Sequence, residues 1–179
     1  MRRRAAIVAA AVVVVGLALL GHPSSATAET GSLSSAGGDA PAAIDITRLS
    51  GDNGARRFSM QVQVRDLGTA GEFGFYYWGG RYQAPPAHSL LIKVTSVEGH
   101  ASARFTICDR EICLHHVCQG LHARWDAAVD RVSVSAPQRC YPRGGRDPVA
   151  LNTGRFHVEG ILDDAYAPGP SEPLALNRG

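Results

Sequence analysis

Arg57-Phe58-Ser59-Met60-Gln61-Val62-Gln63-Val64-Arg65 decides the fold class. Apolar side chains recur on every second residue, at Phe58, Met60, Val62 and Val64, with polar ones between them. That period of two belongs to an extended strand, whose successive side chains point to opposite faces, so one face is core and the other is wet. Upstream, Ile44 and Ile46 alternate with Asp45 and Thr47, and Gly51-Asp52-Asn53-Gly54 offers residues that accept positive φ. The two stretches together predict a hairpin turning at 51–54. Downstream, strands are expected over 73–78, 90–97, 102–108, 121–126, 129–135 and 155–159. Between them stand turn residues: Gly79-Gly80, Pro85-Pro86, Glu98-Gly99, Pro137 and Gly144-Gly145. No stretch of this region carries apolar residues at helical spacing with caps to match. The expectation is an all-β antiparallel β-sandwich, Ig-like or Greek-key-like, with about seven or eight strands.

The chain that carries this pattern is 179 residues long, 45% hydrophobic and 19% charged, which leaves room for one modest domain after any targeting segment. Arg2, Arg3 and Arg4 precede an apolar run from Ala5 to Leu20, and Ala26-Thr27-Ala28 is a small-x-small site. Those are the three regions of a secretory signal peptide, so residues 1–28 read as a leader cut after Ala28 on the general secretion route, with no membrane insertion afterwards. The formal charge of +2 comes from 18 Lys+Arg against 16 Asp+Glu; without the three leader arginines it is 15 against 16, or −1. A nucleic-acid partner is therefore not expected, because its electrostatic footprint is missing. Residues 29–41, rich in Ser, Gly and Ala, are expected to be a flexible linker. Residues 42–164 form the sandwich domain and 165–179, with three prolines at its start, a loose tail to which Leu174 and Leu176 could add a short edge strand.

Four cysteines, Cys108, Cys113, Cys118 and Cys140, in an exported domain read as two disulfides. Cys108 and Cys113 flank a four-residue hairpin loop, Asp109 to Ile112, which brings them within bonding reach and leaves Cys118 for Cys140. The other two pairings stay open at this point. A metal site is the rival, since Cys113, His115, His116, Cys118 and His122 crowd together, but the two separated ligand halves of a structural zinc site are missing. No metal or other cofactor is expected.

The stretch from Cys118 to Cys140 has the form C-x-G-L-x-x-R-x-D, then D-x-V-x-V, then P-x-R-C. It resembles a motif of a widespread group of small secreted actinobacterial proteins with a β-sandwich fold and no assigned activity. Ile44-Asp45-Ile46-Thr47-Arg48-Leu49 also resembles that group's first strand. The resemblance implies a Cys118–Cys140 bond, with Cys108 and Cys113 a local addition. The Ser135-Ala136 step before Pro137 departs from the group's pattern.

Phe73-Gly-Phe75-Tyr76-Tyr77-Trp78-Gly79-Gly80 is the densest aromatic run. With Phe73, Phe75 and Tyr77 turned inward, Tyr76 and Trp78 are expected as an exposed pair, with Arg81 and Tyr82 beside them, able to stack on a sugar ring or peptide. Asp126 and Asp130 read as turn residues rather than calcium ligands, and His88, His100 and His157 as surface positions. No nucleophile elbow, zinc-protease helix, phosphate loop or dinucleotide fingerprint occurs. The sequence thus predicts a secreted, non-catalytic binding module for an extracellular glycan or protein. A secreted protease inhibitor acting through the Cys108–Cys113 loop and a structural envelope protein are the alternatives.

Overall fold

The computed structural model describes residues 29–79, 89–109, 112–140, 153–162, 165–170 and 172–178. The leader, its cleavage site, His88, Pro85-Pro86 and Gly144-Gly145 lie outside the described residues. Twelve strands run in order: β1 Glu29–Ser34, β2 Ile46–Asn53, β3 Arg57–Val64, β4 Gly71–Gly79, β5 Ser89–Val97, β6 His100–Asp109, β7 Ile112–His115, β8 His122–Asp126, β9 Arg131–Pro137, β10 Thr153–Leu162, β11 Ala165–Pro168 and β12 Leu174–Asn177. Every pairing is antiparallel. Sheet A has five strands in the order β1-β2-β3-β9-β8, and sheet B runs β11-β10-β4-β5-β6-β7 with β12 also on β10. Within sheet B, β10 returns to lie beside β4 of the β4-β5-β6 meander, which is the Greek-key order. The fold is the expected all-β sandwich, with more strands than the sequence suggested.

The core lies between the sheets, built by the alternation read in the sequence. Phe58, Met60, Val62 and Val64 of β3 are buried, and so are Phe73, Phe75 and Tyr77 of β4, Leu90, Ile92 and Val94 of β5, and Val132 and Val134 of β9. Tyr77 stacks on Phe58 with ring centroids 4.4 Å apart and touches Phe156 at 5.0 Å, tying the two sheets together. Its hydroxyl donates to Asn53 Oδ1, which also accepts from Gln138 Nε2, while Asn53 Nδ2 donates to the Leu176 carbonyl. Buried polar groups lose water, so such a knot persists only when each member is matched.

Three expectations are corrected. The turn expected at 51–54 begins later, because β2 continues through Gly51 and Asp52 to Asn53. Gly51 is there for packing: a Cβ on it would stand 3.2 Å from Leu176 Cδ1 and 3.3 Å from Leu174 Cδ2. The expected flexible linker supplies β1, whose backbone satisfies the free edge of β2 from Glu29–Asn53 to Ser34–Arg48. The expected loose tail supplies β11, and the short edge strand that Leu174 and Leu176 were able to add is β12; the two lie end to end along β10. Leu174 and Leu176 are buried over paired Gly31 and Gly51, so two small residues in one sheet admit two leucines from the other.

Asp45 is also misplaced by simple alternation. It sits fully buried just before the start of β2, and Oδ2 accepts from Gly38 N at 2.8 Å and pairs with Arg65 at 2.5 Å. A buried carboxylate needs such partners to offset lost hydration.

Candidate binding surface

The predicted aromatic pair is not an exposed pair. Phe73, Phe75 and Tyr77 do turn inward, but Trp78 is only 3% exposed, and among the described residues its indole N–H has no acceptor. The reason is that this end of sheet B's outer face is dry: Trp78 on β4, Ser89 on β5 and Cys108 on β6 share that face, and all are buried. Tyr76 is half-buried, with its ring 6.1 Å from that of His157. Arg81 and Tyr82 lie outside the described residues. The surface predicted from Tyr76, Trp78, Arg81 and Tyr82 therefore does not assemble as a stacking platform around Trp78.

Both disulfides join the cysteines that the sequence favoured. Cys108 and Cys113 have Cα atoms 4.0 Å apart, and Cys118 and Cys140 5.4 Å apart. No free cysteine remains, so the thiols that a zinc site at Cys113 and Cys118 would need are already used. Asp109 pairs with Ile112, so both ends of the expected four-residue loop belong to the strands. Asp126 pairs with Arg124 at 2.6 Å, and Asp130 takes a left-handed turn at φ 51° while its Oδ1 accepts from Leu67 N. Asp130 is a turn residue, as the sequence indicated, whereas Asp126 is the last residue of β8, paired with Arg131 just before the turn.

The outer face of sheet A holds a shallow groove of about 200 Å³ lined by Ser59, Gln61, His122, Arg124, Ser133 and Ser135. Its cations are engaged within the face. Arg57 Nε and Nη2 donate to Ser135, and Arg124 holds Asp126. A wet, internally paired sheet face is what an exposed antiparallel sheet ordinarily presents.

The β6–β7 hairpin is different. Ile112, Leu114 and Val117 are 66%, 67% and 77% exposed, the three most exposed large aliphatics of the described residues. They are neither turn residues nor scattered, since all fall within six consecutive positions. The register explains the exposure: Leu114 pairs with Ile107 and Ile112 with Asp109, so both face the core side of sheet B. Sheet A stops at β8, opposite β6, and among the described residues no strand of it extends over β7. The Cys108–Cys113 bond crosslinks β6 to β7 at the tip, and Cys118–Cys140 fastens the exit of the hairpin to the core. The hairpin is therefore held rigid while three apolar side chains stay in water, an arrangement that contributes nothing to burial.

Sequence reasoning saw the staple but not the overhang. Ile112 and Leu114 alternate with Cys113 and His115 as any core strand would. Only the unequal widths of the two sheets leave them uncovered. Among the described residues there is no cluster of His, Cys, Asp or Glu able to hold a metal, and no helix long and apolar enough to cross a membrane. Compared with family models, with curated proteins and with solved structures, the chain matches none of them.

Proposed function

We propose that this protein is an exported, non-catalytic binding module that engages an extracellular protein through the rigid β6–β7 hairpin. The observation that carries the reading is the solvent exposure of Ile112, Leu114 and Val117 on a segment braced by disulfides at Cys113 and Cys118. Aliphatic side chains held in water on a rigid frame lose little conformational entropy when a partner covers them, which is what preorganised binding requires. The leader-like residues 1–28, the two disulfides and the resemblance to small secreted proteins support export. A protein is favoured over a glycan because Trp78, the ring best placed to stack on a sugar, is buried, whereas the exposed groups are aliphatic. A protease whose cleft accepts the hairpin is one form such a partner can take.

The test uses the full chain recovered, disulfides formed, from the medium of a secreting host. Immobilised protein is exposed to the extracellular proteome of its source and to a panel of secreted proteases, beside an Ile112→Asp, Leu114→Asp variant. The reading expects at least one protein retained, or one protease slowed, by the parent and not by the variant. Equal retention by both, with no protease affected, would remove the hairpin as the binding surface.

A further inference from the structure

We infer that β7 recruits its partner by strand addition, and that a second copy of this chain is a partner it accepts, the two hairpins pairing antiparallel across a two-fold axis. This rests on the hairpin being the binding surface and adds both the mode of binding and one occupant. The first support is the direction of the backbone groups. His116 N donates to Phe105 O on β6, and in an antiparallel ladder donors alternate sides. Ile112 and Leu114 therefore direct their N–H and C=O toward β6, while those of Cys113 and His115 point away, at the free edge of sheet B.

The second support is that this edge lacks the guards the others carry. Edge strands are ordinarily blunted by charge, proline, bulges or brevity. β8 bears Arg124 and Asp126, β1 begins with Glu29 and has no exposed large aliphatic, and the β11–β12 edge is broken by Pro168, Pro170 and Pro173. From Ile112 to Gln119 there is no Asp, Glu, Lys, Arg or Pro. β7 is short, but its edge is otherwise open.

The third support is self-complementarity. A two-fold axis perpendicular to the sheet sets Leu114 opposite Leu114 of the partner copy and Cys113 opposite its His115, which pairs the outward-facing residues of both strands and gathers four aliphatic side chains on one face. No like charges meet along this stretch, because it carries none. The overhang past β8 leaves room for the approach. One short strand and two aliphatic side chains per copy make a small interface, so the dissociation constant should be on the order of 100 µM.

Sedimentation equilibrium of the oxidised full chain from about 1 µM to 1 mM tests this. The expected result is a monomer–dimer equilibrium in that range, abolished in the Ile112→Asp, Leu114→Asp variant. A second variant, His115→Pro, removes an outward N–H and leaves the aliphatic side chains in place. It should weaken the dimer at least tenfold if strands pair, and leave it unchanged if the contact is merely apolar. Unfolding midpoints of both variants report that the fold is intact. A parent that stays monomeric at 1 mM, or dimerises equally well in either variant, overturns the inference. If the monomeric parent still retains a foreign protein that the aspartate variant loses, the proposed function stands without self-pairing. A dimer accompanied by no hairpin-dependent foreign partner has the converse meaning.

Discussion

At one edge of sheet B, β11 and β12 run end to end along β10, and Leu174 and Leu176 reach across to bury themselves over Gly31 and Gly51. At the other edge, β7 hangs beyond the last strand of sheet A with Ile112 and Leu114 in water. Both edges are short alternating strands with two aliphatic residues on the core-facing side. What separates them is the opposite sheet: it extends to β1 and β2 beneath β12, but ends at β8 short of β7. The same local pattern is thus a closure of the core at one end and an open surface at the other, and burial rather than sequence decides which.

Substitutions at the two edges should break or sharpen that contrast. The largest effect is expected for Leu174→Ala combined with Leu176→Ala, which empties the notch over Gly31 and Gly51. Urea unfolding should show a loss of roughly 4 kcal/mol or more, given about 2–5 for each buried leucine and coupling between neighbours. Next comes Cys118→Ser with Cys140→Ser, which opens a loop of 22 residues of separation. It should lower stability by about 3 kcal/mol and free the base of the hairpin. Gly169→Ala follows, because Gly169 N donates to Val158 O at 2.9 Å and a Cβ there would stand only 2.4 Å from that oxygen. Backbone must move to admit it, and a loss of about 2 kcal/mol is expected. The smallest effect is predicted at the other edge: Ile112→Ser with Leu114→Ser should change stability by no more than about 0.5 kcal/mol, as for exposed positions generally. A loss there as large as that at Leu174 and Leu176 would mean that β7 is as well covered as β12.

Much of this architecture was legible in the chain. Phe58 to Val64 alternate in the structure as they do in the sequence, and both disulfides follow the favoured pairing. Other features depend on what lies across the sandwich. Gly51 looks like a turn residue until two leucines from a distant strand are placed upon it. The Ser- and Gly-rich β1 has little apolar signal of its own, and its main contribution is to satisfy the backbone edge of β2. Trp78 shares the parity of half-buried Tyr76, yet the face is dry at its own end, and period alone carries no information about such local cover. The cysteine spacing predicts a braced hairpin, but the exposure of Ile112 and Leu114 comes from sheet width, which no local pattern encodes.

Residue-resolved amide exchange along β7 in dilute, monomeric protein tests the central claim most directly. Slow exchange at Leu114 and His116, whose N–H groups face β6, with fast exchange at Cys113 and His115, is the predicted result. Equal protection at all four amides would show that the outer edge of β7 is already occupied within the monomer, and would contradict the account.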